Sequence, residues 1–306
     1  MIGGRQAAGL LRRASRRIST RPDLSVVVVA HDMARELPRT LWSLSRRYQV
    51  GAEHLRYEVV VVDNGSAVPV DAEVFAGLAG TFRLHRVPDA PPSPAHAANV
   101  GLRLARGRQV ALVLDGARMV SPGAVAAAVD AVDARPRAVA TPIAFHLGPE
   151  HQSISVAKGY GPAQEDADLA RIGWPEDGYR LFEISALAGA NPQGFYGPVN
   201  ESCFLVAPRR LWREVGGLDE RFDLPGGGLV SLDLFSRMVS LRDVVVAVLV
   251  GEGSFHQVHG GVSTTPGAKH ELWHRQFADL RGEGYQPPRF ETVHRGEARG
   301  PAARFV

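Results

Sequence analysis

Cysteine is almost absent from this sequence, since Cys203 is the only one in 306 residues. A single cysteine excludes an internal disulfide and is typical of proteins that remain in a reducing cytoplasm. Long hydrophobic runs are missing as well: stretches such as VVVAVLVG are far shorter than the ~20 apolar residues of a membrane-spanning helix. The formal net charge of +3 is too small to predict nucleic-acid binding over the surface. We therefore expect a folded, cytoplasmic protein without a nucleic-acid partner.

Acidic residues are missing from the first 22 residues, which carry six arginines. This segment also lacks the apolar centre of a secretory signal. We interpret residues 1–22 as a basic, flexible arm. The alternative is a weak amphipathic foot on an anionic membrane, which would place the protein peripherally at the inner face of that membrane.

Apolar strands that alternate with helices make up the next part of the chain. The strands are predicted at LSVVVVAHD, YEVVVVDNGS, TFRLHRV and QVALVLDG, and the helices at MARELPRTLWSLSRRY, SPAHAANVGLRLARG and SPGAVAAAVDAVDA. Four alternations within about 110 residues predict an α/β fold with a mostly parallel sheet and helices on both faces. Ligands bind at the carboxyl ends of the strands in such sheets. Residues 31–32, 63–66 and 115–118 should therefore share one edge.

The pattern weakens after Pro142 and returns later. Residues 146–200 are rich in glycine, proline and polar residues, as in a lid or a partner-binding loop. A strand, a helix, a second helix and a strand are predicted between residues 202 and 250, and the last regular segment is predicted to be helical. We expect one domain over residues 23–263, followed by a helical C-terminal extension and tail over residues 264–306.

The order of these motifs resembles the inverting family 2 glycosyltransferases, which have the GT-A (Rossmann-like) fold, from Leu24 to about Ser263. The matching stretches are VVVVAHD, VVVVDNGS, AANVGLRLARGRQVALVLDGA, LWREVGGLDERF and HQVHGGVS. The resemblance implies that the protein moves a sugar from a nucleoside-diphosphate sugar, a UDP-sugar first of all, to an acceptor hydroxyl with inversion. The acceptor would be a glycan, a lipid-linked molecule or a small molecule, and the alanine- and arginine-rich composition suggests a bacterial source.

The resemblance also implies a donor site at the strand ends. Its nucleotide-binding residues would be Ala30, His31, Asp32, Asp63, Asn64, Gly65, Asn99, Asp115 and Arg118. From the residues alone, the carboxylate of Asp63 is equally suited to an Asx turn, and Asn99 is equally suited to packing within its helix.

The Asp-x-Asp motif of the family is incomplete, because the chain reads Asp115-Gly116-Ala117. In the family, two carboxylates hold a divalent cation on the donor diphosphate. One carboxylate binds Mg²⁺ or Mn²⁺ poorly, which makes a cofactor doubtful unless another ligand contributes. The resemblance offers His259 as that ligand beside Asp115. An alternative hypothesis is that Arg118 pairs with the diphosphate in place of the cation, and a solvent-facing Arg118 is a third interpretation.

The catalytic base of the family is also missing from its usual place. A Glu-Asp pair normally precedes the Asp-Leu-x-x-Arg helix, but the chain has Val230 and Ser231 there. Asp233 is the nearest carboxylate, unless it only forms an ion pair with Arg237, and Glu201 is the second candidate base. The two departures leave open a non-catalytic GT-A-like protein that binds nucleotide or sugar, or serves as a partner subunit.

Overall fold

The computed structural model describes residues 20–262 and 270–306. Most of the predicted basic arm, residues 1–19, and the predicted boundary near residue 263 lie outside the described residues.

The first half of the chain contains every strand and helix that the alternating pattern predicts. In chain order the elements are β1 (Leu24–Ala30), α1 (Leu37–Ser43), β2 (Tyr57–Asp63), β3 (Thr81–Arg86), α2 (Ala95–Leu104), β4 (Gln109–Val113), β5 (Arg118–Val120), α3 (Ala124–Ala134) and β6 (Ala138–Leu147). The second half adds α4 (Gln152–Ala157), α5 (Pro162–Arg171), β7 (Ser185–Leu187), β8 (Leu205–Pro208), α6 (Arg209–Val215), α7 (Val230–Val239), β9 (Val245–His256), α8 (His270–Arg281) and β10 (Glu291–Gly296).

The strands of the described ranges form one sheet in the order β10-β9-β6-β8-β4-β1-β2-β3, with β5 beside β9 and β7 beside β6. The pairs β1–β2, β1–β4, β2–β3, β6–β9 and β9–β10 are parallel, whereas β8 runs antiparallel between β4 and β6. The predicted α/β fold with a mostly parallel sheet is confirmed.

Helices cover the sheet on both faces, and β1 shows why. Its residues alternate between two hydrophobic clusters: Val27 and Val29 belong to one, and Val26 and Val28 to the other. Helix α2 packs against the first cluster, whereas α1 and α3 pack against the second. A strand buried on both faces reads as a continuous apolar run, which is the pattern that the sequence shows here.

The C-terminal segment is not helical throughout. Helix α8 agrees with the predicted helix, but a strand, β10, follows it. This strand joins the sheet beside β9 in parallel, with Glu291 opposite Val245. Most residues of β10 are exposed, and the half-buried Val293 packs against a core cluster. A solvent-facing edge strand lacks the apolar alternation by which strands are recognised in a sequence.

A cluster of phenylalanines holds β6 and β9 against the C-terminal residues. The fully buried Phe145 ring contacts four others: Phe182, Phe195, Phe255 and Phe305, at centroid distances of 5.1, 6.3, 5.4 and 4.8 Å. Phe255 directly precedes His256 at the end of β9. The cluster therefore supports the C-terminal end of β9, where His256 lies.

We expect Phe145→Ala to lower the free energy of unfolding by about 3–5 kcal/mol, because it removes the central ring of a close-packed cluster. Urea denaturation followed by tryptophan fluorescence measures this change. Phe82→Ala is the matched control, since Phe82 lies half-buried on the edge strand β3. Equal losses from the two substitutions would contradict the central role of the Phe145 cluster.

Candidate active site

The carboxyl ends of β2, β1 and β4 lie side by side. Ala30 pairs with Asp63, and Val28 pairs with Val113, so Asp115 follows β4 at the level of Ala30. Gly116 packs against the end of β1, where a Cβ atom would lie 3.0 Å from the carbonyl oxygen of Val29. The sheet register thus brings Ala30, Asp63 and Asp115 to one edge.

The loops that follow β1 and β2 are tied together at this edge. The backbone N–H of Asp32 donates to Ser66 Oγ (2.9 Å), and Asp32 Oδ1 accepts from the backbone N–H of Ala67 (2.8 Å). Asp32 has a positive φ of 52°, which aspartate tolerates better than most residues. The side chains of His31 and Asp32 are 57% and 51% exposed. Both remain accessible to a ligand.

Asp63 shapes the turn after β2. Its side chain is fully buried, and its two carboxylate oxygens accept hydrogen bonds from the backbone N–H groups of Ser66 (2.9 Å) and Val70 (3.2 Å). The next residue, Asn64, donates to the carbonyl oxygen of Pro91 (3.3 Å), while its buried Oδ1 has no hydrogen-bond partner within residues 20–262 and 270–306. Gly65 follows with a φ of 70°. Asn64 is therefore the residue of this turn that has a polar atom left unused.

Asn99 lies in a different network. Its amide donates to the carbonyl oxygen of Leu218 (2.9 Å) and to Glu220 Oε1 (2.8 Å), and its Oδ1 accepts from the backbone N–H of Leu218 (2.9 Å). These bonds connect α2 to the loop before α7. The structure does not bring Asn99 into the cluster around Asp115.

Two histidines meet Asp115 at the sheet edge. Asp115 Oδ2 lies 2.7 Å from His256 Nε2 and 3.3 Å from His259 Nε2, and the two imidazole nitrogens are 3.0 Å apart. The side chains of the two histidines are 3% and 11% exposed, and that of Asp115 is 29% exposed. The sequence offers both histidines in an H-x-x-H spacing, of which His259 is the expected partner of Asp115; the structure brings His256 to Asp115 as well.

The three ligand atoms fit a divalent cation. Neighbouring ligands on one face of an octahedron are about 3 Å apart when each lies about 2.1 Å from the ion, which agrees with the three distances above. Two imidazoles and one carboxylate on one face are a known set of metal ligands that leaves further positions open. Beside the single carboxylate of the incomplete motif, the cluster thus offers imidazole nitrogens from the end of β9 and the loop that follows it.

The charges of the cluster determine its protonation states. Burial works against the negative charge of Asp115, yet His259 and His256 hold the pKa of this carboxyl well below its usual range. Burial lowers the pKa of His256 to about 4, despite the opposing effect of Asp115. At His259 the attraction of Asp115 outweighs burial and raises the pKa. An ionised carboxylate and a neutral His256 are the protonation states that a metal ion requires, whereas a metal ion would have to displace a proton from His259.

Arg118 lies next to this cluster. It pairs with His256 across the antiparallel β5–β9 ladder, so the two side chains project from the same face. Its Nη1 is buried and has no hydrogen-bond partner among the described residues. Arg118 therefore does not simply point to solvent, and its cation is available to an anionic ligand.

The two carboxylates considered as catalytic bases have different surroundings. Asp233 is 2% exposed, and its oxygens accept from Arg237 Nε (2.8 Å) and Arg281 Nε (2.5 Å). Glu201 is half-buried, and its Oε1 accepts a short hydrogen bond from the hydroxyl of Ser231. Ser231 occupies the position where a carboxylate was expected from the motif. A carboxylate from another part of the chain thus reaches that position.

Burial raises the pKa of the Cys203 thiol, two residues after Glu201, to about 12. The charges of Arg118, Glu201 and Asp115 act on this thiol to a smaller extent.

Acidic and basic groups are thus gathered at the carboxyl edge of an α/β sheet, where open sheets of this kind bind their ligands. The model of glycosyl transferase family 2 matches residues 25–182, which is more than half of the chain, so the chain belongs to this family. This membership confirms the resemblance on which the GT-A assignment rests. Comparison with curated proteins finds no match.

Several solved structures have a similar course of the chain, among them two of TarS and one of GalNAc-T7. S. aureus TarS is 14% identical over 84% of this chain and 42% of its own, with a TM-score of 0.48. TarS 1-349 in complex with UDP is 13% identical over 84% and 70%, with a TM-score of 0.47. GalNAc-T7 with UDP, GalNAc and Mn²⁺ is 15% identical over 79% and 45%, with a TM-score of 0.46. The chain thus spans less than half the length of the first of these proteins.

Helices of membrane-spanning length and hydropathy do not occur in the part of the chain that the structure describes.

Proposed function

We propose that the protein is an inverting glycosyltransferase that transfers a sugar from a UDP-sugar to an acceptor hydroxyl. The observation that carries this proposal is the group of Asp115, His256 and His259 at the carboxyl edge of the sheet. Such a group can hold a divalent cation, which would neutralise the charge of a diphosphate. Membership of the family supports sugar transfer. The donor nucleoside would contact the accessible side chains of His31 and Asp32 and the unused Oδ1 of Asn64.

The diphosphate would be held from two sides. Asp115, His256 and His259 would hold a divalent cation, which supplies positive charge to the leaving nucleoside diphosphate when bound. Arg118 would pair with a second diphosphate oxygen through its unpartnered guanidinium nitrogen. Because nitrogen ligands suit transition metals better than Mg²⁺, we propose Mn²⁺ as the preferred ion.

Glu201 is the better candidate for the catalytic base. Inverting transfer requires a carboxylate that can accept the proton of the attacking hydroxyl. One oxygen of Glu201 accepts from Ser231, which orients the carboxyl group and leaves its other oxygen for the acceptor. Both oxygens of Asp233 are already bound to arginines, so we propose a structural role for that residue.

The acceptor would enter past the glycine-rich loop before α7. Gly226, Gly227 and Gly228 have φ values of 73°, 79° and 55°, which only glycine adopts without strain in succession. A backbone without side chains allows a bulky acceptor to approach Glu201. We propose a glycan, a lipid-linked molecule or a small molecule as the acceptor, and a cytoplasmic location that includes contact with the inner face of a membrane.

A non-catalytic binding protein is the second candidate function. Val230 and Ser231 stand where the family has its acidic pair, and this substitution favours loss of catalysis. Hydrolysis of UDP-, GDP- and dTDP-sugars by the purified protein separates the two functions, with and without Mn²⁺. We expect slow, Mn²⁺-dependent release of UDP from a UDP-sugar. UDP binding without turnover of any donor, alone or with acceptors, would support the binding protein instead.

A further inference from the structure

The segment that follows β6 turns back over the end of β9 and reaches the metal ligands. His146 at the end of β6 pairs with His256 of β9 in the parallel ladder. Nδ1 of His146 accepts a hydrogen bond from the backbone N–H of Gln152 (3.0 Å). A backbone N–H only donates, so Nδ1 of His146 carries no proton in this hydrogen bond. The first residue of α4 is thereby fixed beside His256.

The side chain of Gln152 determines which nitrogen of His256 carries the proton. Gln152 is fully buried, its Oε1 lies 2.6 Å from His256 Nδ1, and its amide nitrogen donates to the carbonyl oxygen of His256 (3.5 Å). An amide oxygen only accepts, so Nδ1 must donate. The lone pair of His256 then lies on Nε2, which faces Asp115 and His259.

The loop between the two histidines is held by other residues. The backbone N–H of Val258 donates to Glu165 Oε2 (2.7 Å), and its carbonyl oxygen accepts from Arg35 Nη1 (3.1 Å). Arg35 in turn contacts Glu165 (3.0 Å). Loss of the Gln152 side chain should therefore leave the path of this loop unchanged. Its effect should be confined to the ring of His256.

We infer that Gln152 is a positioning residue for the metal centre, which fixes the tautomer and the orientation of His256. The inference rests on the proposed function, because it requires a cation between Asp115, His256 and His259. A hydrogen bond from the remote ring nitrogen to a carbonyl oxygen orients a histidine ligand and increases its basicity. The residues of α4, which sequence analysis placed in an irregular segment, would thus take part in donor binding from behind the ligands.

Direct measurement of Mn²⁺ affinity tests this inference. Free Mn²⁺ is followed by electron paramagnetic resonance during titration of the purified protein, with and without UDP. We expect Gln152→Leu to weaken Mn²⁺ binding by about 10–100-fold. Gln152→Glu keeps an acceptor oxygen opposite Nδ1, and its affinity should stay close to that of the unchanged protein. Urea denaturation of each variant reports folding separately.

Gln109→Leu is the matched control. Gln109 is also buried, and its amide donates to the carbonyl oxygen of Val129 (3.2 Å) and to Asp133 (2.8 Å), at the opposite end of β4 from Asp115. The Gln109→Leu variant should be less stable and should bind Mn²⁺ with unchanged affinity. The inference fails if Gln152→Leu binds Mn²⁺ as the unchanged protein does, or if Gln152→Glu is weakened as much as Gln152→Leu. If the protein without any substitution binds no Mn²⁺, even in the presence of UDP, the proposed metal centre is refuted, and the inference with it.

Discussion

Replacement of Asp115 by asparagine should lower the rate of sugar transfer by about a thousandfold. Asp115 supplies the negative charge of the proposed metal centre, and its loss leaves two neutral imidazoles to hold a dication. A metal ion contributes several kcal/mol to stabilising charge in a transition state, and about 4 kcal/mol corresponds to a factor of ~10³ in rate. Release of UDP from the donor that gives the fastest turnover measures the effect. Chelation of the metal should have the same consequence, and Mn²⁺ should restore activity better than Mg²⁺.

Asp243→Asn provides a control for this prediction. The side chain of Asp243 is 74% exposed, and the residue lies in the turn before β9. The same chemical change there should leave activity and Mn²⁺ affinity unchanged. If turnover persists in a chelator and Asp115→Asn remains active, the diphosphate must be neutralised without a metal. The hypothesis that Arg118 alone pairs with it would then replace the metal centre.

Glu201→Gln is expected to have the second large effect. Removal of a general base costs about 10²–10⁴-fold in rate, and glutamine keeps the shape of the side chain and its contact with Ser231. Binding of UDP and Mn²⁺, followed by thermal shift, should be unaffected, because the proposed role of Glu201 concerns the acceptor hydroxyl and not the donor diphosphate. Transfer to acceptor should therefore decline far more than donor affinity. Normal transfer by Glu201→Gln would contradict the assignment of the base.

Asp233→Asn distinguishes the two candidate carboxylates. Its oxygens lie against Arg237 and Arg281, and removal of one partner of a buried ion pair typically costs about 3–5 kcal/mol of stability. We expect this variant to unfold at lower urea concentration while its folded fraction retains transfer activity. A stable variant without transfer activity would point to Asp233 as the base.

The fold and the edge of the site could be predicted from the sequence because they depend on local patterns. A strand buried on both faces shows itself as a run of β-branched residues, and β1, β2 and β4 all have this pattern. Parallel pairing then requires the residues after these strands to meet at one edge. The positions of Asp63 and Asp115 at that edge follow directly, and so does the family resemblance that depends on their spacing.

The use made of each side chain could not be predicted, because it depends on neighbours that are distant in sequence. Asp63 has two backbone N–H groups for partners, and Asn99 is bound to a loop more than a hundred residues later. His256 and Gln152 are 104 residues apart, and their contact depends on the register of β6 against β9. The donor-binding roles of Asp32, Asn64 and Arg118 remain predictions, to be tested by UDP affinity of their alanine variants.

The residues of the proposed metal centre are divided between the part of the chain that the family model matches and the part that lies beyond it. Asp115 lies within the matched residues 25–182, whereas His256 follows it by 141 residues and lies beyond them. A survey of relatives restricted to the matched region would therefore record the incomplete Asp-x-Asp motif and miss both histidines. A search for paired histidines at the end of the strand equivalent to β9 would test whether an incomplete Asp-x-Asp motif and such a pair occur together in other chains.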